Sequence, residues 1–181
     1  MPQTKQTPTP PVDPVTATGP RPSGPALVRK LGTFASLPPL AIAWLFPSFC
    51  MLAFAATRIA SKPFRDIAPA LGENAGAISC STSIGPQAER RARALGLSIR
   101  TVAKYLPWRS DCFAQALTAQ WSCRIFGIAS ALHFGVAEDE AEGMKAHAWV
   151  TAGSVWLTGG RESRKFTPLS CFVRHPRGHG D

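Results

Sequence analysis

The stretch SDCFAQALTAQWSCRIFG at residues 110–127 decides the reading of this chain. Asp111 is a residue type that caps helix starts and Gly127 one that ends them, so the spacing predicts a helix beginning at Cys112 itself. Backbone N–H groups at such a start, with the positive end of the helix dipole, stabilise a thiolate. Along the helix Ala114, Leu117, Trp121 and Ile125 form an apolar stripe. Ala116, Ala119 and Cys123 lie below Cys112 on its own face, small enough for another layer to approach beneath it. A lone cysteine is more often a small buried apolar group than a nucleophile, so the rest of the chain has to supply its partners.

Downstream, Ile128 to Val136 alternates as a strand does, and an acidic turn with Glu138, Asp139, Glu140 and Glu142 follows. AHAWVTAGSVWLTGG at 146–160 then reads as two short strands about Ala152-Gly153. His147 shares a face with Trp149 and Thr151. Pairing Val150 with Val155 sets His147 opposite Thr158, which makes the threonine hydroxyl the candidate orienting group. A cysteine at a helix start, a histidine on a following strand and an orienting group on the next strand is the arrangement a thiol hydrolase or acyltransferase needs. Histidine takes the thiol proton and returns it to the leaving group, and the Cys112 N–H is the natural oxyanion donor.

Upstream, Pro86 opens a second helix whose stripe of Ala88, Ala92, Leu95, Ile99, Val102 and Leu106 faces a core, and Pro107 ends it. Residues 72–85 are small and polar, a loop. From Leu31 to Thr57 no charge occurs. Pro38 and Pro39 suit a first turn, whereas Pro47 kinks the helix or splits it in two. This segment, 31–75 as a unit, packs on the core or contacts lipid, spanning a bilayer being the lesser form of that contact. Residues 1–30 are rich in Pro and Thr and poor in large apolar groups, the composition of a disordered tail.

The 181 residues leave room for one domain, over 76–181, of α+β class. A formal charge of +9 favours acidic partners, but no nucleic-acid-binding motif accompanies it, so nucleic acid is not an expected partner. Five cysteines, odd in number and irregularly spaced, suggest neither a disulfide framework nor a metal site, and no cofactor is implied. The opening residues lack the succession of a secretory signal, and a reducing cytoplasmic setting is expected, with membrane association open. His133, His175 and His179 read as structural or exposed.

LPWRSDCFAQAL at 106–117, RIFGIASALHFGV at 124–136, AHAWV at 146–150 and Phe-Thr-Pro-Leu at 166–169 resemble the B proteins of lasso-peptide maturation, over roughly residues 30–173. The resemblance implies a transglutaminase-like, papain-like cysteine protease core with Cys112 and His147 as its pair. It also implies removal of the leader from a ribosomally made precursor, before an ATP-dependent cyclase closes the macrolactam. The aspartate such proteins carry third is missing: Thr158 or Gly159 stands there, and Glu162 is the nearby acid. A hydroxyl, a carbonyl or a displaced carboxylate can each orient a histidine. No leader-recognition domain is legible in residues 1–75, so a separate recognition protein is the implied partner. A catalytically silent scaffold of the same fold, or a membrane-associated assembly factor, is the alternative reading.

Overall fold

The computed structural model describes residues 37–77, 80–106, 111–139 and 143–176. The expected tail over 1–30, the turn residues Glu140 and Glu142, and His179 lie outside the described residues.

Helix α1 (Pro39–Ala43) starts on two prolines, and Trp44 separates it from α2 (Leu45–Ser61). Pro47 explains the break. It has no N–H to give the Ala43 carbonyl and its ring crowds that oxygen, but as third residue of a new helix it needs no donor. The uncharged run is therefore two helices, and no helix among the described residues is long and apolar enough to cross a membrane. A short α3 (Phe64–Ile67) and a 3-10 turn (Ala68–Ala70) lead to β1 (Glu73–Asn74).

Leu52, Ala55, Ile67 and Leu71 join one core with Leu95 and Ile99 of α4 (Pro86–Tyr105), Leu117 of α5 (Cys112–Ile125) and Leu132 of β2 (Ser130–Asp139). The N-terminal helices thus share the core of the 76–181 region. Gln120, fully buried, joins the parts. Its Nε2 donates to the carbonyls of Leu71 (2.8 Å) and Phe172 (3.2 Å), and its Oε1 accepts from Ser130 Oγ at 2.9 Å.

The five-stranded antiparallel sheet has the order β1-β5-β2-β3-β4, with β3 at Gly143–Ala152, β4 at Val155–Thr158 and β5 at Thr167–Arg174. The expected α+β class is found. Two expectations change. The β3–β4 turn falls at Gly153-Ser154, Gly153 having φ +55°, and an extra residue, Leu157, bulges between the pairs Thr151–Trp156 and Val150–Thr158. His147 therefore does not face Thr158; Val150 does. The final strand β5, unmarked in the sequence, enters between β1 and β2.

Helix α4 ends where Leu106 turns extended before Pro107, as a residue preceding proline prefers. Where α4 crosses β4 the backbones nearly touch: a Cβ on Gly96 would sit 2.8 Å from both Cα and O of Leu157. Arg100, one turn on, donates through Nη1 to the carbonyls of Trp156 and Leu157. Gly96→Ala should therefore cost about 1–3 kcal/mol despite alanine's better helix propensity, because backbone must shift. Denaturant unfolding checks this, and an unchanged midpoint would show that α4 and β4 can part freely.

Candidate active site

Cys112 is the first residue of α5, with Asp111 extended before it. The Asp111 side chain makes no capping hydrogen bond, contrary to its expected role, and the helix start is held by packing instead. Phe113 packs on Phe134 of β2 (ring centroids 5.4 Å apart) and on Phe64 (5.9 Å). Beneath the start, Ala116, Leu117, Ala119 and Cys123 are fully buried, so the small face predicted under Cys112 does admit another layer. Ile125, expected on the apolar stripe, is exposed; the burial shifts to Ala116, Thr118, Gln120 and Ser122, because α5 is covered on several sides.

Burial pushes the thiols of Cys123 and Cys171 up to about 12, away from nucleophilic use. Cys50 is exposed on α2, and Cys80 is half-buried. Cys112, half-buried, is the cysteine that borders a cleft of about 850 Å³. His147 of β3 lines the same cleft, together with Gln115, Arg100, Trp156 and the Gly159–Glu162 segment with Arg164.

The His147 Nε2 lies 2.9 Å from the carbonyl oxygen of Gly159. A carbonyl only accepts, so Nε2 carries a proton, and in the neutral ring the lone pair is on Nδ1. That is the neutral tautomer a general base requires. The ring is further fixed by stacking, with Phe166 at 4.8 Å and 26° and Trp149 at 5.9 Å and 21°.

Gly159 reaches the ring because it adopts φ +70°. A Cβ there would come within 2.6 Å of the Ala148 oxygen and 2.9 Å of His147 Nε2, so glycine alone fits. Sequence reasoning placed Thr158 or Gly159 at the missing aspartate's position and admitted a carbonyl in this role, but preferred the Thr158 hydroxyl; the Gly159-Gly160 pair just after a strand was the available signal. Thr158, by contrast, is buried with its hydroxyl unpartnered, and no hydrogen bond joins it to His147. The bulge at Leu157 turns it away. Glu162 lines the cleft as an exposed side chain, and among the described residues nothing joins it to His147 either.

His133 is buried and neutral-favouring: Nε2 meets Thr151 Oγ1 at 3.1 Å, its ring stacks on Trp149 at 5.3 Å, and Nδ1 has no partner. His175 is exposed. Among the described residues no group of three or more His, Cys, Asp or Glu side chains could hold a metal ion.

Two expectations follow for turnover assays on whichever substrate the site accepts. Thr158→Val should leave activity within about twofold and raise the unfolding midpoint slightly, since it removes an unsatisfied buried hydroxyl. Gly159→Ala should lower turnover at least about a hundredfold, through loss of the orienting bond and displacement of the ring. Impaired Thr158→Val beside a healthy Gly159→Ala would reverse the assignment.

A third concerns stability. Burial holds the His133 pKa below its ordinary value. As pH falls below about 6.5 the unfolded chain therefore binds a proton that the folded protein resists, and stability drops. Thermal unfolding between about pH 7 and pH 5.5 should show a shallower decline for His133→Gln than for wild type, and equal slopes would count against it.

Neither a curated protein nor a solved structure matches the chain. A sequence profile described as the transglutaminase-like superfamily matches residues 55–171, from within α2 to the middle of β5 and across every part of the cleft. With well over half its length so matched, and with the helix-start cysteine and strand histidine meeting in one cleft, the chain belongs to the transglutaminase-like superfamily.

Proposed function

We propose that this chain is a cysteine peptidase that removes the leader from a ribosomally made lasso-peptide precursor before macrolactam cyclisation. The observation that carries the peptidase reading is the fixed imidazole. Nε2–H is tied to the Gly159 carbonyl while Nδ1 is left free to take a proton, in the cleft that Cys112 borders. The lasso assignment rests on the sequence resemblance over roughly residues 30–173, and family membership is compatible with it.

In this reading His147 Nδ1 accepts the Cys112 thiol proton as Sγ attacks the scissile carbonyl. Negative charge develops on the carbonyl oxygen, and the N–H of Cys112, at the helix start where it has no intrahelical acceptor, is the donor for it. The imidazolium returns its proton to the leaving amine, giving a thioester. Water, deprotonated by the same nitrogen, then releases the carboxylate product and restores the thiol. The Gly159 carbonyl keeps the ring aligned through both halves. A separate recognition protein presents the precursor, and an ATP-dependent cyclase uses the new amino terminus. The reaction takes place in the reducing cytoplasm, where the thiol stays available.

A second reading, a catalytically silent scaffold, is favoured by one feature: the ring is oriented by a neutral carbonyl where a carboxylate would stabilise the imidazolium better. The exposed Leu40 and Ile42 of α1, with Phe46, Phe49 and Phe54 of α2, favour a membrane-associated assembly factor.

The deciding assay incubates the full chain with a leader-bearing precursor and its recognition protein, followed by mass spectrometry. Cys112→Ala and His147→Ala should each lower cleavage at least about a thousandfold with an unchanged circular dichroism spectrum, because thiolate and base act as a unit. Wild-type rates in either folded variant would refute the pair, and an inactive wild type would favour the scaffold.

A further inference from the structure

The walls of the catalytic cleft are strongly positive. Arg100, Arg161 and Arg164 line it against a single carboxylate among the described residues, Glu162. Arg161 and Arg164 are exposed, and neither has an ion-pair partner among the described residues. Arg100 donates through Nη1 to two backbone carbonyls, and no ion pair among the described residues balances its charge. Burial first, and the nearby Arg161 charge second, pull the Arg100 pKa down, so the two guanidinium groups feel each other's field. Like charges held around a concave wall focus potential into the cleft, and an anion there relieves their repulsion. Guanidinium groups pair best with carboxylates, through two parallel hydrogen bonds. At about 850 Å³ the cleft has room for a side chain beside the reacting carbonyl.

We infer that the cleft selects an acyl substrate that carries a carboxylate close to the bond Cys112 attacks, with Arg161 and Arg164 as the residues that read it. The choice of an acidic peptide, with Asp or Glu beside the scissile bond, rests on the peptidase reading above. The anion selectivity itself rests only on the charges lining the cleft. Arg100 serves as a positioning residue that holds β4 and adds to the field.

The two readings are separable. In the full-length protein, iodoacetate, an anion, and iodoacetamide, its neutral counterpart, are allowed to react in parallel at low ionic strength. Alkylation is then followed by mass spectrometry at Cys112 and at Cys50, which is exposed on α2 and serves as an internal reference. The iodoacetate-to-iodoacetamide rate ratio should be about tenfold higher at Cys112 than at Cys50. It should fall toward the Cys50 value in Arg161→Gln/Arg164→Gln and at about 0.5 M salt. Equal ratios at the two cysteines would overturn the inference and leave the peptidase reading untouched. In a second arm, a leader-bearing precursor library randomised around the cut is digested, with the recognition protein present, by wild type and double variant. Enrichment of Asp or Glu next to the cut, lost in the variant, supports the inference, and cuts without that enrichment overturn it. Anion-selective alkylation with no peptide cut keeps the inference and counts against the peptidase reading.

Discussion

The hydrogen bond from His147 Nε2 to the Gly159 carbonyl is the constraint around which the site is built. It selects the tautomer, aims the ring, and dictates the chain path after β4. To deliver that carbonyl the strand must end at Thr158 and turn at once into a conformation only glycine takes easily, φ +70° with no room for a Cβ. The Leu157 bulge supplies the extra residue, and α4 braces it from outside through the Gly96 approach and Arg100. Further along, the Ser163 hydroxyl donates to the Gly160 carbonyl at 3.1 Å, holding the return that brings Phe166 onto the imidazole. Helix, bulge, glycine turn and aromatic ring thus converge on one imidazole.

A carbonyl carries only a partial charge, so it orients a histidine well and stabilises an imidazolium less than a carboxylate would. The aromatic neighbours bear on that deficit. Phe166 and Trp149 present ring faces to His147, and a ring face attracts a cation through its quadrupole, by about 0.5–2 kcal/mol depending on desolvation. The same stacking holds the imidazole in plane in its neutral form. Orientation and charge stabilisation, which one carboxylate could perform together, are divided here between a backbone acceptor and two aromatic rings.

How much of this was legible in the sequence varies with the range of the interaction that decides it. Helices α4 and α5 were readable because proline, glycine and apolar spacing act locally, and Cys112 and His147 followed from where those elements start and alternate. The β3–β4 register was not readable. The turn lies one residue beyond Ala152-Gly153, and a bulge then adds a residue without any mark in the side-chain pattern; together they set Thr158 opposite Val150, and the carbonyl of Gly159 meets the imidazole instead. Strand β5 was missed for a different reason: Pro168 near its start and the paired burial of Cys171 and Phe172 spoil simple alternation, and its partner β2 lies some thirty residues back. Ile125 was misplaced because burial around α5 extends over several faces, where a stripe argument assumes one.

The charge distribution completes the physical account. Among the described residues no acidic side chain stands behind His147, so protonation of the imidazole adds a positive charge to a cleft that they line with three guanidinium groups and one carboxylate. A substrate carrying its own carboxylate, as proposed above, would offset that charge by pairing with Arg161 or Arg164 while the thiolate attacks the carbonyl and Nδ1 holds the proton. Selectivity and activation then have one origin. Under that proposal the carboxylate that the arginines select would also compensate the charge His147 takes up, beyond what the aromatic ring faces supply.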